Sequence, residues 1–123
     1  VGRPAALMLL HKNATVTVCH TKTEDIASIA KEADILIVCA GQRESVGKEY
    51  LSEGQTVIDV GIHFNEETQK LCGDVRFAEA EPVVEAITPV PGGVGPMTIT
   101  MLLHNTYLAA KEQKARREKR TAK

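Results

Sequence analysis

Two hydrophobic periods alternate along this chain, and each change of period marks out an element. Ala5 to His11 follows Pro4 as an apolar, helix-like run, and Thr15 to Cys19 is β-branched and strand-like before a polar turn. Thr23 can cap a helix running through Ala33, in which Ile26, Ile29, Ala30 and Ala33 form one apolar stripe. Asp34 to Ala40 is almost continuously apolar, the pattern of a strand covered on both faces. Val46 to Leu51 reads as one short helix and Thr56 to Val60 as another buried strand. His63 to Gly73 is a polar excursion, a short hairpin or a loop. Ala78 to Ala86 has a helical pattern that Pro82 interrupts, and it overlaps a strand-like apolar run from Val83 to Ile87. Ile87 to Val90 is a last short strand, and one long helix runs from Pro96 to about Arg117.

Buried strands alternating with helices predict an α/β fold, a Rossmann-like doubly wound parallel sheet followed by a long C-terminal helix. A dinucleotide-binding domain of this kind opens with a strand and a glycine-rich turn before its first helix. This sequence enters instead at Val1-Gly2-Arg3-Pro4, so the sheet is expected to lack its first strand, which an upstream portion would supply. In the strand order 3-2-1-4-5-6 that strand is central. Without it, two strand edges and much apolar surface are left uncovered, and the segment alone is expected to be less stable than its composition suggests.

The densest local signal is Thr88-Pro89-Val90-Pro91-Gly92-Gly93-Val94-Gly95-Pro96-Met97-Thr98. Its glycines allow positive φ and close backbone approach to a ligand, and Pro96 suits the first turn of a helix. The free amides at that helix start lie at the positive end of its dipole. By itself the segment is equally a stiff loop between a strand and a helix.

The string resembles the C-terminal signature of the bifunctional methylenetetrahydrofolate dehydrogenase/methenyltetrahydrofolate cyclohydrolase family. His20-Thr21-Lys22-Thr23, Ala33-Asp34-Ile35-Leu36-Ile37-Val38, Val57-Ile58-Asp59-Val60-Gly61-Ile62 and Gly73-Asp74-Val75 match family segments in the same order. The resemblance covers the chain to about Ala110, giving an NAD(P)-binding domain over 1–110 and a basic helix end or tail over 111–123. It implies oxidation of 5,10-methylenetetrahydrofolate with NADP and hydrolysis of the methenyl product to 10-formyltetrahydrofolate, within one-carbon metabolism. Also implied are a homodimer and an N-terminal domain that carries the catalytic lysine and a neighbouring tyrosine, so no catalytic residue is named in this segment. Two alternatives stay open: a non-catalytic nucleotide-binding module, and a dehydrogenase of another small molecule on the same fold.

Thr21 and Lys22 end the second predicted strand with no acid before Glu24, which favours the 2′-phosphate of NADP over the bare ribose of NAD. The family commonly has Ser at Thr21, and the same turn can equally serve as a helix cap. Ala40 and Gly41 are small residues at a strand's carboxyl end, where a cofactor can cross the sheet. The resemblance puts Ile62 and Thr98 beside the nicotinamide, and Pro91, Gly92, Gly93, Val94 and Gly95 against the folate. His20 is a second candidate for cofactor contact. His11 and His104 read as ordinary helix residues, and His63 stands where the family often has Asn. Asp59 and Asp74 read as acceptors for backbone amides rather than proton-transfer groups.

Composition changes this picture little. Apolar residues make up 43% and the net charge is −1, so the chain is an ordinary globular one without a field for nucleic acid or membrane. The local exception is the basic run Lys111 to Lys123, read as a solvated helix end with nucleic-acid or partner binding as the alternative. Cys19, Cys39 and Cys72 have no metal spacing; Cys19 and Cys39 read as small buried hydrophobes, and free thiols suggest the cytosol. No metal-ligand cluster and no membrane-length apolar stretch is evident.

Overall fold

The computed structural model describes residues 1–122. Helix α1 spans Gly2–His11 and α2 Ile26–Lys31; the strands are β1 (Ile35–Val38), β2 (Thr56–Asp59), β3 (His63–Asn65), β4 (Lys70–Cys72) and β5 (Ala86–Ile87). Helix α3 covers Phe77–Ala80, α4 covers Val94–Thr121, and Lys48–Tyr50 forms a single 3-10 turn where a short helix was expected. Strands β1, β2 and β5 form a parallel sheet in that order, with Ile35 opposite Thr56 and Thr56 opposite Ala86. The polar excursion is a hairpin, β3 antiparallel to β4, with His63 opposite Cys72.

This pairing corrects the expected order 3-2-1-4-5-6, in which the predicted third and fourth strands would not be neighbours. Here they are β1 and β2, hydrogen-bonded along their full length. The doubly wound order 2-1-3-4-5 accommodates the result, with β1, β2 and β5 as its third, fourth and fifth strands. In that order one strand position separates Thr15–Cys19 from β1. Thr15 to Cys19 accordingly joins no ladder among the described residues. A β-branched run has strand propensity, but a strand needs a partner for its amides.

The core is small: Val38, Leu51, Val57, Val75, Ala80 and Val84, between the sheet and the segment crossing over α3. Val46 and Val75 bridge in parallel beside it. Gln55, fully buried just before β2, donates its side-chain amide to the carbonyls of Ala30 (2.7 Å) and Ala33 (2.8 Å). That gives the Ala33 carbonyl a partner, adds a second to the Ala30 carbonyl, which already accepts the Ala33 amide, and ties the helix to the sheet. The N-terminus of α2 is also not where it was expected. Asp25 is the cap and accepts the Ser28 amide, while the Thr23 hydroxyl accepts the His20 amide in the preceding turn.

Much apolar surface is uncovered. Leu7, Met8 and Leu10 on α1, Ile35 on β1, and Met97, Ile99, Leu102, Leu103 and Tyr107 on α4 are exposed, so β1 is not covered on both faces. The accessible surface is 9543 Å², against about 6,500 Å² for a compact monomer of this mass. Helix α4 continues through the basic run, where Glu112–Arg116 (3.2 Å) and Lys114–Glu118 (4.0 Å) pair one turn apart, as on a solvated helix end. Lys123 lies outside the described residues. No helix among the described residues is long and apolar enough to cross a membrane.

Candidate functional site

Two neighbouring parallel strands, β1 and β2, end side by side, and the residues that follow them form the lips of one crevice. Its lining includes Cys39 and Gly41 after β1, Gly61, Ile62 and His63 after β2, and Asp74 beneath; it encloses about 240 Å³. The carboxyl edge of a parallel sheet is where open α/β folds bind ligands, because the loops there diverge and leave backbone amides free. Ile62 is 63% exposed, an unusual position for an isoleucine at a sheet edge and one that suits contact with a flat apolar ring. Ala40 and Gly41 are exposed beside it, and Gly41 has φ +68°.

Asp59 and Asp74 build the floor. The Asp59 carboxylate accepts the amides of Gly61 (3.0 Å), Asp74 (3.1 Å) and Val75 (3.0 Å). Asp74, with no exposed surface, accepts the Gly41 amide at 3.0 Å and lies 2.7 Å from Nε2 of His63. Both carboxylates are therefore taken up by backbone, as their sequence setting suggests. The additional His63 contact was not legible, because it depends on the hairpin folding back over the Gly73–Asp74 segment. Gly73 carries the one readable signal: a Cβ there would run into the Asp59 carboxylate.

The amide of Asp59 donates to the Thr88 hydroxyl at 2.9 Å, which attaches β2 to the start of the proline-glycine bend. A second crevice of about 230 Å³ runs from Asp59, Cys72 and Gly73 to Pro89 and Val90. Beyond it the Val90–Pro91 peptide is cis, Pro91 and Gly92 form an exposed turn, and Val94 and Gly95 already belong to the first turn of α4. Of the three glycines in the bend only Gly92 has positive φ, at +100°. Gly93 is needed for closeness instead, since a Cβ there would meet the Pro89 carbonyl oxygen, whereas Gly95 has open space around it. No side chain caps α4, so its first amides remain available, and the Thr98 hydroxyl donates back to the Val94 carbonyl at 3.0 Å.

Thr21 and Lys22 occupy a separate exposed turn. The Lys22 amide donates to Nδ1 of His20 at 3.1 Å and the Thr23 amide to the His20 carbonyl at 2.8 Å, so the turn is held by His20 and Thr23 and the Thr21 and Lys22 side chains take no part in it. His20 thus supports the turn from within. Cys39 is exposed rather than buried, because it stands at the open end of β1. Partial desolvation of the thiol, exposed though the residue is, pushes Cys39 up; the Val1 amino group lowers it, and the carboxylates of Asp74 and Asp59 raise it further. Among the described residues no group of three or more His, Cys, Asp or Glu side chains could hold a metal ion.

Residues 1–114 match the family model for the tetrahydrofolate dehydrogenase/cyclohydrolase, NAD(P)-binding domain. The chain belongs to that family. It is 54% identical over 112 residues to the bifunctional protein FolD of Lachnoclostridium phytofermentans, covering 91% of this chain and 39% of that protein. For the FolD of Enterococcus faecalis the identity is 57% over 114 residues, with 93% and 40% covered. Among solved structures, the bifunctional FolD enzyme of Campylobacter jejuni superposes with a TM-score of 0.86 at 50% identity, over 92% of this chain and 40% of that one. The Trypanosoma brucei dehydrogenase-cyclohydrolase, solved with NADP cofactor and an inhibitor, gives 0.81 at 43% identity, over 91% and 40%. The chain therefore spans about two-fifths of the length of these relatives. In this chain the domain's parallel sheet runs in the order β1-β2-β5 described above.

Proposed function

We propose that this chain is the dinucleotide-holding part of an enzyme that oxidises 5,10-methylenetetrahydrofolate with NADP and hydrolyses the methenyl product to 10-formyltetrahydrofolate. The observation that carries this reading is the placing of Gly41 and Ile62 on facing lips of one crevice, at the carboxyl ends of adjacent parallel strands, in a chain of this family.

NADP, when bound, accepts a hydride from the methylene carbon of the folate. The chain's own task is orientation, which supplies several kcal/mol to a reaction between two bound rings. Ile62 offers an apolar surface for the nicotinamide, while Ala40 and Gly41 leave room for the dinucleotide across the sheet edge. Thr98, on the second turn of α4, borders the nicotinamide from the other side. Thr21 and Lys22 hold the 2′-phosphate: a hydroxyl and an ammonium suit a phosphate dianion, where a carboxylate would repel it. Pro91, Gly92, Gly93, Val94 and Gly95 border the folate with backbone groups and a stiff ring, adding no competing acid or base.

Among the described residues the two carboxylates at the sheet edge are already engaged, Asp59 by three backbone amides and Asp74 by the Gly41 amide and the His63 ring. Proton handling and the attack of water on the methenyl carbon are assigned to residues outside this chain. The complete enzyme works as a cytoplasmic homodimer, and its 10-formyl product serves one-carbon metabolism, including purine biosynthesis.

The test is spectrophotometric. The complete protein is given methylenetetrahydrofolate and NADP, and methenyltetrahydrofolate absorbance is followed as it rises and decays. Formation with NADP followed by hydrolysis supports the reading. Absence of NADP-dependent oxidation in a folded protein overturns it.

A further inference from the structure

Asp74 does more than satisfy a loop. It is fully buried, yet it is in contact with both lips of the crevice: its Oδ2 accepts the Gly41 amide from the end of β1, and its Oδ1 meets Nε2 of His63 at the start of β3. Its own amide is fixed on Asp59, whose Oδ1 also accepts the Gly61 amide. Gly61 lies so close that a Cβ there would run into the Asp74 side chain. One carboxylate thus spans the gap between the two strand ends, with every oxygen used. A fold that needed only a filled acceptor list could satisfy Gly41 and His63 separately.

Resting on the dinucleotide reading of this crevice, we propose that Asp74 is a positioning residue for hydride transfer, setting the spacing between Gly41 and the Gly61–His63 lip and hence the angle of the nicotinamide ring on Ile62. Two hydrogen bonds accepted by one buried carboxylate, at 3.0 Å from Gly41 and 2.7 Å from His63, leave the lips little freedom to separate. Removing that carboxylate frees the Gly41 amide and the His63 ring together. Hydride transfer is sensitive to displacements of about 1 Å, whereas hydrolysis of the methenyl compound uses no nicotinamide.

The two activities provide the test, because their ratio does not depend on the fraction of protein that folds. In the complete protein, Asp74→Ala is expected to lower the ratio of dehydrogenase to cyclohydrolase kcat by about tenfold or more. Asp74→Asn keeps an acceptor for Gly41 and can donate to the other tautomer of His63, so it restores the ratio to within about threefold of wild type. Should Asp74→Ala not accumulate, His63→Ala decides, since that side chain is 25% exposed and its loss leaves the Gly41 contact in place. Its ratio is expected to fall by at least about twofold. Parallel loss of both activities in Asp74→Ala, with an unchanged ratio, overturns the inference, and so does an unchanged ratio in His63→Ala. A wild-type protein with neither activity would sink the functional reading itself, and this inference with it.

Discussion

Asp59 and Asp74 are joined through the backbone, the carboxylate of the first accepting the amide of the second at 3.1 Å, and each then anchors a different part of the sheet edge. Asp74 reaches Gly41 and His63; Asp59 reaches Gly61 and Val75 with its side chain and Thr88 with its amide. Through these two residues the Gly41–Ile62 crevice and the bend ahead of α4 rest on a common floor.

Asp59 should therefore matter for stability before it matters for chemistry. It is 3% exposed and accepts three amides, two of them on the buried residues Asp74 and Val75. Leaving buried donors unpaired costs about 1–3 kcal/mol each. Asp59→Ala is expected to lower the unfolding free energy of the complete protein by roughly 3 kcal/mol or more, read from the urea midpoint. A loss below about 1 kcal/mol would mean that the amides find other partners.

The glycines of the bend should separate. Gly93→Ala places a Cβ against the Pro89 carbonyl and is expected to cost about 1–3 kcal/mol of stability. Gly95 has nothing within 4 Å and sits in the first helical turn, so Gly95→Ala leaves stability unchanged or raises it by up to about 1 kcal/mol. If Gly95→Ala nevertheless raises the folate KM severalfold, the open space at Gly95 is where the substrate lies. An unchanged KM argues that the folate lies elsewhere.

Lys22 should set cofactor choice. A charge-assisted contact to phosphate is worth about 1.5–3 kcal/mol, so Lys22→Glu is expected to lower kcat/KM for NADP by about tenfold or more. The value for NAD, which has no 2′-phosphate, should change by less than about threefold by the same reasoning. Equal losses with both cofactors would remove Lys22 from the phosphate seat. The turn itself should survive, because its hydrogen bonds run through His20 and Thr23 rather than the lysine side chain.

Cys39 gives a pH signature. Partial desolvation, the first cause, and the carboxylates of Asp74 and Asp59 raise its thiol above the ordinary value despite the Val1 amino group. The neutral thiol is thus the form the fold prefers. Its contribution to stability is present below the unfolded thiol pKa of about 8.5 and is lost as pH rises through the higher folded value. With Cys39 as the sole thiol (Cys19→Ser, Cys72→Ser), iodoacetamide labelling of the folded chain should reach half-maximal rate at higher pH than labelling in urea. Coincident profiles would contradict this.

The sequence was most readable where a residue's environment is local. β2 and α4 lie where the periodicity places them, since a buried strand and a long helix declare themselves over their own length; the polar excursion left hairpin and loop equally open, and it is the hairpin of β3 and β4. Thr15 to Cys19 shows the limit: its β-branched residues state a preference, but pairing depends on a neighbour the run does not contain. The order of β1 and β2 was misplaced for a related reason, because consecutive buried strands look alike in either doubly wound order. Motif and resemblance singled out Gly41 and Ile62, which the fold brings to the lips of one crevice. The contact of His63 with Asp74 was not legible, since the hairpin between them folds back only in three dimensions. Thr23 read as the helix cap, but Asp25 takes that place, because the Thr23 hydroxyl accepts the His20 amide in a tighter turn before the helix.

The most direct test of the whole account is a crystal structure of the complete protein with NADP and a folate analogue. There the nicotinamide ring is expected against Ile62, between the Gly41 and His63 lips, with the pterin ring against Pro91 to Gly95 and the 2′-phosphate at Thr21 and Lys22. A nicotinamide bound away from the Gly41–Ile62 crevice, or a pterin out of reach of the bend, would contradict it.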